Sequence, residues 1–470
     1  MSRLLALLIG GLCTTTAFAV SPDPKDLAIP PEALLKAREL VHRLGSEVYR
    51  EREDAHAELL KMGRNARPVL LEAVSSDPDP EVRSRCSRLL PRAGAEDLKA
   101  RLDTFLADTQ SKFDHDLPGL KAFRKVVGVG QAGLGSEEKG RQLDEKGRAL
   151  FVEIMKSHQN MELLRAIDSG PAEGGRAIAD RRATLFAQIQ HRNVGGTVIM
   201  PQQIELPDIA CLLFAESLVP SKEVPRTGVW SSITGVTFVQ QPASQDTITN
   251  ASRPHAEVYK RILGIWLETR DDVQDLNQVA YIAGSLLRSL PQSPPLLRRI
   301  VKSEGVQGYA KGQALQYLVM YRKQEEVAFL KTLLSDDTLV TQVWFNNVVI
   351  RGGQAPQPHQ CLVRDVALAF LLHLTGQNLK DYGYLLAPGY NPQTQQFTYG
   401  NYAFASEEAR SAAMVKFAFW QFKDKLRDPG ARPPAPGKEQ APAPKAGNGR
   451  GGNPRIAPPP PPAVQPPPAK

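Results

Sequence analysis

Little in this sequence can cross-link it. Four cysteines occur among 470 residues, and Cys13 falls in the leading apolar stretch. That leaves Cys86, Cys211 and Cys361, an odd set with no close pair, which argues against a disulfide framework. Cys86 and Cys211 sit in apolar-periodic stretches and read as small core residues. Metal-ligand spacing is also missing. His359-x-Cys361 is a lone doublet where a zinc site needs two such pairs, and no His-Glu-x-x-His occurs. Neither a cofactor nor a metal is expected. Long apolar runs are absent as well. Leu4 to Leu12, Ile209 to Phe214 and Val366 to Leu372 all fall short of the ~20 residues that span a bilayer, so no transmembrane segment is expected in a mature chain. Excess charge is scarce in the body. Of the formal +8, the first 19 residues hold one charge and the last 42 hold five, which leaves +2 on residues 20–428. A nearly neutral body is not the footprint of a nucleic-acid binder, and no nucleic-acid partner is expected.

What is present at the ends is distinctive. Arg3, the apolar run Leu4 to Leu12 and Ala17-Phe18-Ala19 have the form of a secretory signal with an A-x-A cleavage site, so residues 1–19 predict export to the periplasm or beyond. Residues 429–470 hold 15 of the 38 prolines and end in Pro458–Pro462 and Pro466–Pro468. Such a segment buries too little apolar surface to offset its ordering entropy. It predicts a disordered, basic tail with polyproline II character.

Between the ends the punctuation is helical. Leu34, Ala37, Leu40, Val41 and Leu44 share a face, and Gly45 stands where that helix would stop. Ser46 is placed to cap a second helix carrying Ala55, Leu59 and Leu60. A third is predicted over Arg67 to Val74. Asp79-Pro80-Glu81 starts a fourth with a cap, a first-turn proline and an acid at the positive end of the dipole. Further helices are predicted around Val258–Trp266, Leu276–Leu287, Pro295–Val301, Val306–Tyr321 and Glu325–Leu334. A last one is capped by Ser406, with Met414, Phe417 and Trp420 on one side and Val415, Phe419 and Phe422 on the other. Apolar residues on both flanks predict a helix packed between neighbours. Residues 190–250 and Trp344 to Pro358 break the pattern and predict long loops, apart from a hairpin turn near Asn193–Thr197 and a short helix from Pro207.

Asp79-Pro80-Glu81-Val82-Arg83, with the small Cys86, resembles the second helix of a HEAT repeat. Arg52-Glu53-Asp54-Ala55 resembles the same helix one repeat earlier, and Val363-Arg364-Asp365-Val366-Ala367 repeats the spacing near the C-terminus. In patches over 31–427, the chain resembles a family of uncharacterised exported bacterial proteins with HEAT-like repeats. The patches include Leu117-Pro118-Gly119-Leu120, Ala149–Glu153, Thr375-Gly376-Gln377 and Phe404–Glu408. The resemblance implies an all-α fold and no catalytic residues.

Catalytic readings of the motifs are weak. Gly128-Val129-Gly130-Gln131-Ala132-Gly133 fits a dinucleotide fingerprint in letters, but helical spacing precedes it where a strand is required. The pairs Asp271-Asp272 and Asp336-Asp337 stand between helices and read as caps. The expectation is therefore an all-α, HEAT-like α-solenoid or irregular helical-repeat body with long loops. Residues 20–100 form the repeats, 101–428 a helical body with loop-rich insertions, and 429–470 the tail. Its expected role is a macromolecule-binding or scaffolding module whose partner is a protein or envelope polymer. The alternative is an envelope enzyme, such as a hydrolase, with a site assembled from 190–250 and 344–402. Trp230, Trp344, Tyr390, Tyr399 and Tyr402, large aromatics near loops, are the candidate contact residues.

Overall fold

A computed structural model describes residues 22–129, 142–190, 192–194, 197–199, 202–226, 233–343, 358–387, 390–391, 393–395 and 397–427. The expected signal, the proline-rich tail, residues 130–133 of the glycine motif and most of Trp344 to Pro358 lie outside these residues. The chain divides into two units, Met1–Met414 and Val415–Lys470.

The first unit opens with α1 (Pro31–Arg43), α2 (Tyr49–Met62), α3 (Arg67–Ser76) and α4 (Pro80–Ala107). Ala37, Leu40, Ala55, Leu59, Leu70, Val82, Cys86 and Leu89 form one shared core. Asp79 caps α4, accepting from Glu81 N at 2.8 Å. Ser46 does not cap α2. It accepts from Val48 N at 3.1 Å and fixes the turn before the helix, which starts three residues later than its expected cap. Arg52 of α2 and Arg83 of α4 make the same contacts. Arg52 Nη1 donates to the Ser46 and Glu47 carbonyls at 2.8 and 3.1 Å, and Arg83 Nη1 to those of Asp77 and Pro78 at 2.6 and 3.0 Å. Each arginine thus ties its helix to the turn five and six residues before it. α4 runs on through Pro91. The missing bond there costs ~3 kcal/mol, offset by burial of Leu89, Ala93, Leu102 and Phe105 on either side.

The body continues with α5 (Leu120–Val127), α6 (Glu145–Met155), α7 (His158–Ser169) and α8 (Pro171–Ile189). A two-stranded hairpin follows, β1 (Arg192–Val194) and β2 (Thr197–Ile199). Next come α9 (Leu206–Leu218), the expected helix from Pro207, and then α10 (Gly235–Val239) and α11 (Pro242–Thr249), two short helices where loop was expected. Pro207 and Pro242 lie in the first turns of their helices, where proline is tolerated because its missing N–H would be unpaired anyway. Ile209 through Ala215 are wholly buried, and α6, α7, α8, α10, α11 and α12 (Ala256–Glu268) all pack on α9. A helix apolar on every side belongs in the centre.

Two adjacent arginines of α8 clamp the two ends of α9. Arg181 Nη2 meets Asp208 Oδ1 at 2.6 Å and Asn160 Oδ1 at 3.0 Å. Arg182 Nε meets Glu216 Oε1 at 2.7 Å. Glu216 is 1% exposed. Its second oxygen accepts from Trp266 Nε1 at 2.7 Å and faces Arg270 Nη1 at 3.5 Å. Arg270 also donates to Asp275 Oδ2 at 3.2 Å, and Arg226 to Asp275 Oδ1 at 3.2 Å. A Cβ on Gly235 would overlap the Glu216 carboxylate, so glycine there lets α10 approach it. Burial alone would raise the pKa of Glu216. Arg182 and Arg270, with hydrogen bonds from Arg182 and Trp266, overcome that and hold it below the ordinary glutamate range. For Asp275 burial wins over Arg270, with Glu216 adding to it, and its pKa is raised.

The remaining helices are α13 (Val273–Gly284), α14 (Ser293–Lys302), α15 (Gly308–Arg322) and α16 (Val327–Lys331). Asp272 caps α13, as its pair spacing predicts, accepting from Gln274 N at 2.8 Å. Asp336 instead organises a turn, accepting from Thr338 N at 2.9 Å. β3 (Leu339–Val343) pairs antiparallel with β4 (His359–Leu362), which leads into α17 (Val363–Leu374). Every residue of Val363–Leu372 except Arg364 is buried. Asp365 there receives Arg410 Nε at 2.7 Å and Leu362 N at 2.9 Å. Arg364 reaches Glu407 at 3.0 Å, unlike Arg52 and Arg83. β5 (Leu385–Leu386) pairs with β6 (Tyr402–Ala403) before α18 (Glu407–Arg427), where Ser406 Oγ accepts from Ala409 N at 3.3 Å.

In the second unit Phe417 is buried and stacks on Trp420, with centroids 5.8 Å apart. Val415, Phe419 and Phe422 are 70%, 67% and 62% exposed. The expectation that both flanks of this helix pack against neighbours is therefore corrected. Those three share one face, opposite Phe417.

Removing one partner of a buried ion pair leaves the others uncompensated. Glu216→Gln should lower the unfolding free energy by about 3 kcal/mol or more. Lys36→Ala, which breaks the exposed Lys36–Glu58 pair, should change it by less than ~1 kcal/mol. Urea denaturation monitored by circular dichroism measures both, and equal effects would contradict the clamp.

Candidate functional site

The buried polar groups of the body are engaged in holding helices together, which moves the search to the surface. The cysteines offer no nucleophile. Cys86, Cys211 and Cys361 are free, and burial raises each thiol, Cys86 to about 11. A thiol raised in this way is a poor nucleophile and a poor metal ligand at neutral pH. Cys361 Sγ points at the Tyr399 carbonyl, 3.4 Å away. Among the described residues, no three His, Cys, Asp or Glu side chains gather as a metal site would require. None of the described helices is long and apolar enough to cross a membrane.

Two shallow clefts occur on the first unit. One of about 290 Å³ lies between the N-terminal turn and the start of the 115–117 segment, lined by Lys25, Asp97, Arg101, His115 and Asp116. His115 Nε2 is 3.1 Å from Asp108 Oδ2, and Asp108 also accepts from Lys112 N and Phe113 N. The histidine thus belongs to a pair that shapes its own loop. The other cleft, about 430 Å³, is lined by Glu268, Pro291, Gln292, Leu296 and Arg299. Arg299 caps the end of α12 through the Leu267 and Glu268 carbonyls, both at 3.2 Å. The described parts of 190–250 pack on α9, α12 and α13, and those of 344–402 on α15, α16 and α17.

The most distinctive surface is a row of tyrosines on α13 and α15. Ala310, Ala314, Leu315 and Leu318 turn one face of α15 into the core. Tyr309 lies on its exposed face, whereas Tyr317 and Tyr321, one turn apart, flank the buried face on the side of α13. Tyr317 and Tyr321 lie parallel with centroids 6.3 Å apart, and Tyr281 from α13 meets Tyr317 edge-on at 6.5 Å. Arg288 sits over the Tyr321 ring at 5.2 Å and donates to its hydroxyl at 3.1 Å. A Cβ on Gly284 would overlap the Tyr317 ring, so this glycine seats the middle tyrosine. Tyr281, Tyr309 and Tyr321 are 51%, 45% and 47% exposed. Burial first, then the neighbouring phenols of Tyr281, Tyr321 and Tyr399, raises the pKa of Tyr317.

Of the residues singled out from sequence, Tyr399 joins this row. Its ring stands where a Cβ on Gly312 of α15 would touch it, and Tyr309 lies close enough to raise its pKa further after burial. Tyr390 is tied inward, 2.9 Å from His373 Nε2. Tyr402 is fully buried against Phe370 and Tyr384 and is not a surface contact. Trp230 and Trp344 lie outside the described residues. Tyr281, Tyr309, Tyr317 and Tyr321 were not legible as a site, because tyrosine at helical spacing reads as a core stripe.

Comparison with protein-family profiles, with curated proteins and with solved structures finds no match to this chain.

His373 gives a pH test of the loop that carries these tyrosines. Burial lowers its pKa from 6.5 to about 4. Between those values the unfolded chain binds a proton that the folded chain does not, so stability falls as pH falls through that window. The melting temperature should therefore drop more between pH 7 and 4 in the wild type than in His373→Gln. Parallel curves would contradict the burial of a neutral imidazole.

Proposed function

We propose that the protein is an exported, HEAT-like helical-repeat protein that acts as a macromolecule-binding or scaffolding module, with the tyrosine row as its contact surface. The exposed Tyr281, Tyr309 and Tyr321 around the half-buried Tyr317, beside Arg288, carry this reading. Tyrosine and arginine are the residues that dominate binding energy at interfaces, because each joins a large apolar area to a polar tip. The rings are also braced by one another and by Gly284, so little side-chain entropy remains to be lost on binding. Export is supported by the A-x-A pattern at residues 17–19, and the repeat assignment by the matching turn contacts of Arg52 and Arg83. The partner is a protein or a polymer of the cell envelope.

The test is co-sedimentation of the purified mature protein with an isolated envelope fraction. Tyr281→Ser/Tyr321→Ser should weaken binding at least tenfold, the loss of one interface anchor or more. Leu35→Ser, at an exposed position of α1, should bind as the wild type does. Equal binding by the double variant and the wild type would overturn the assignment of the surface.

A further inference from the structure

We infer that the tyrosine row takes a polyproline II segment, and that its occupant is the Pro458–Pro468 run of a second copy of this chain. This rests on the proposed binding role of the row and names what it binds.

The sequence Pro458-Pro459-Pro460-Pro461-Pro462-Ala463-Val464-Gln465-Pro466-Pro467-Pro468 carries no charge and, apart from Ala463, Val464 and Gln465, no backbone N–H. Two kinds of group are left for recognition, pyrrolidine rings and carbonyl oxygens. A polyproline II helix makes no internal hydrogen bonds, so every carbonyl remains an acceptor. The tyrosine row offers the complement of both. The Tyr281 and Tyr321 rings present apolar faces and edges whose centroids lie 6.5 and 6.3 Å from that of Tyr317 between them. Phenolic hydroxyls and the Arg288 guanidinium lie among them as donors. Aromatic-lined grooves use the same division of labour to hold proline-rich segments, and the stiff ligand loses little entropy on docking. Charge fits too. The row is neutral apart from Arg288, and so is the proline run. Of the basic residues of the tail, Arg432 through Arg455 precede it and Lys470 follows it, so none falls within the run.

Chain length lets the run reach another molecule. Residues 428–457 separate it from the end of α18. At ~3.1 Å per residue that spacer extends to about 90 Å. Each copy then carries one acceptor surface and one donor segment. Such a contact is heterologous, and repeated contacts of that type link copies head to tail, which suits a scaffold.

The experiment uses the full chain. Sedimentation velocity over a concentration series should show self-association that a synthetic peptide of residues 456–470 abolishes in excess. Fluorescently labelled, the same peptide should bind the full chain. Its affinity should fall at least tenfold for Tyr281→Ser/Tyr321→Ser, while Leu35→Ser binds normally. A peptide with its prolines replaced by alanine should neither bind nor compete. A chain that stays monomeric, a peptide that binds the double variant unchanged, or a row that binds a glycan oligomer and not the peptide would each overturn the inference. If the peptide fails while the double variant still loses envelope binding, this inference falls and the binding role of the row stands.

Discussion

A carboxylate at the buried end of an apolar helix constrains the body of this molecule. Glu216 lies at the end of α9, whose body is buried on all sides. Desolvating such a charge costs several kcal/mol, so everything around it must supply opposite charge and hydrogen bonds in fixed places. Arg182 comes from α8, Trp266 from α12, Arg270 from the turn after α12, and Gly235 allows α10 to close over them. Four segments are thereby fixed in angle and register to α9. Apolar packing alone tolerates sliding, whereas a desolvated ion network with defined donors does not. Asp365 in α17 follows the same design with Arg410 and the Leu362 N–H.

This use of charge has a consequence for function. Arg181, Arg182, Glu216, Arg270, Asp275, Asp365 and Arg410 are all buried. Their charge is spent on holding helices together, and the exposed tyrosines lie outside them. The tyrosine row gains its geometry from the same helices. α13 begins at the Asp272 cap beside the Arg226 and Asp275 cluster, and its last residue, Gly284, holds Tyr317 in place. The buried network and the outer surface are thus two ends of one helix.

The helices were legible wherever local chemistry set their ends. Asp79-Pro80-Glu81, Asp272 and Ser406 all sit where capping places them. In 190–250 the helix opened by Pro207 was legible from its first-turn proline, whereas the one opened by Pro242 was not, because proline there was taken as a breaker. Nothing in the local pattern marks the Asp365 carboxylate as buried, because an acid two residues into a helix looks like a solvated first-turn acid. Its partner Arg410 lies 45 residues away, a separation that no local pattern reports. The tyrosine row stayed hidden for a similar reason. Tyr281 and Tyr399 come from other segments and meet α15 only through the fold.

Hydrogen exchange of the native chain, followed by mass spectrometry, tests the central role of α9 most directly. Amides of 206–218 and 363–374 should be the last to exchange, at rates set by global unfolding. In Glu216→Gln, protection in 206–218 and in the neighbouring 256–268 should fall together, while α1 to α3 keep theirs. Exchange in 206–218 as fast as in α1, or loss confined to α9 alone, would contradict the account of a buried charge network that orders the body.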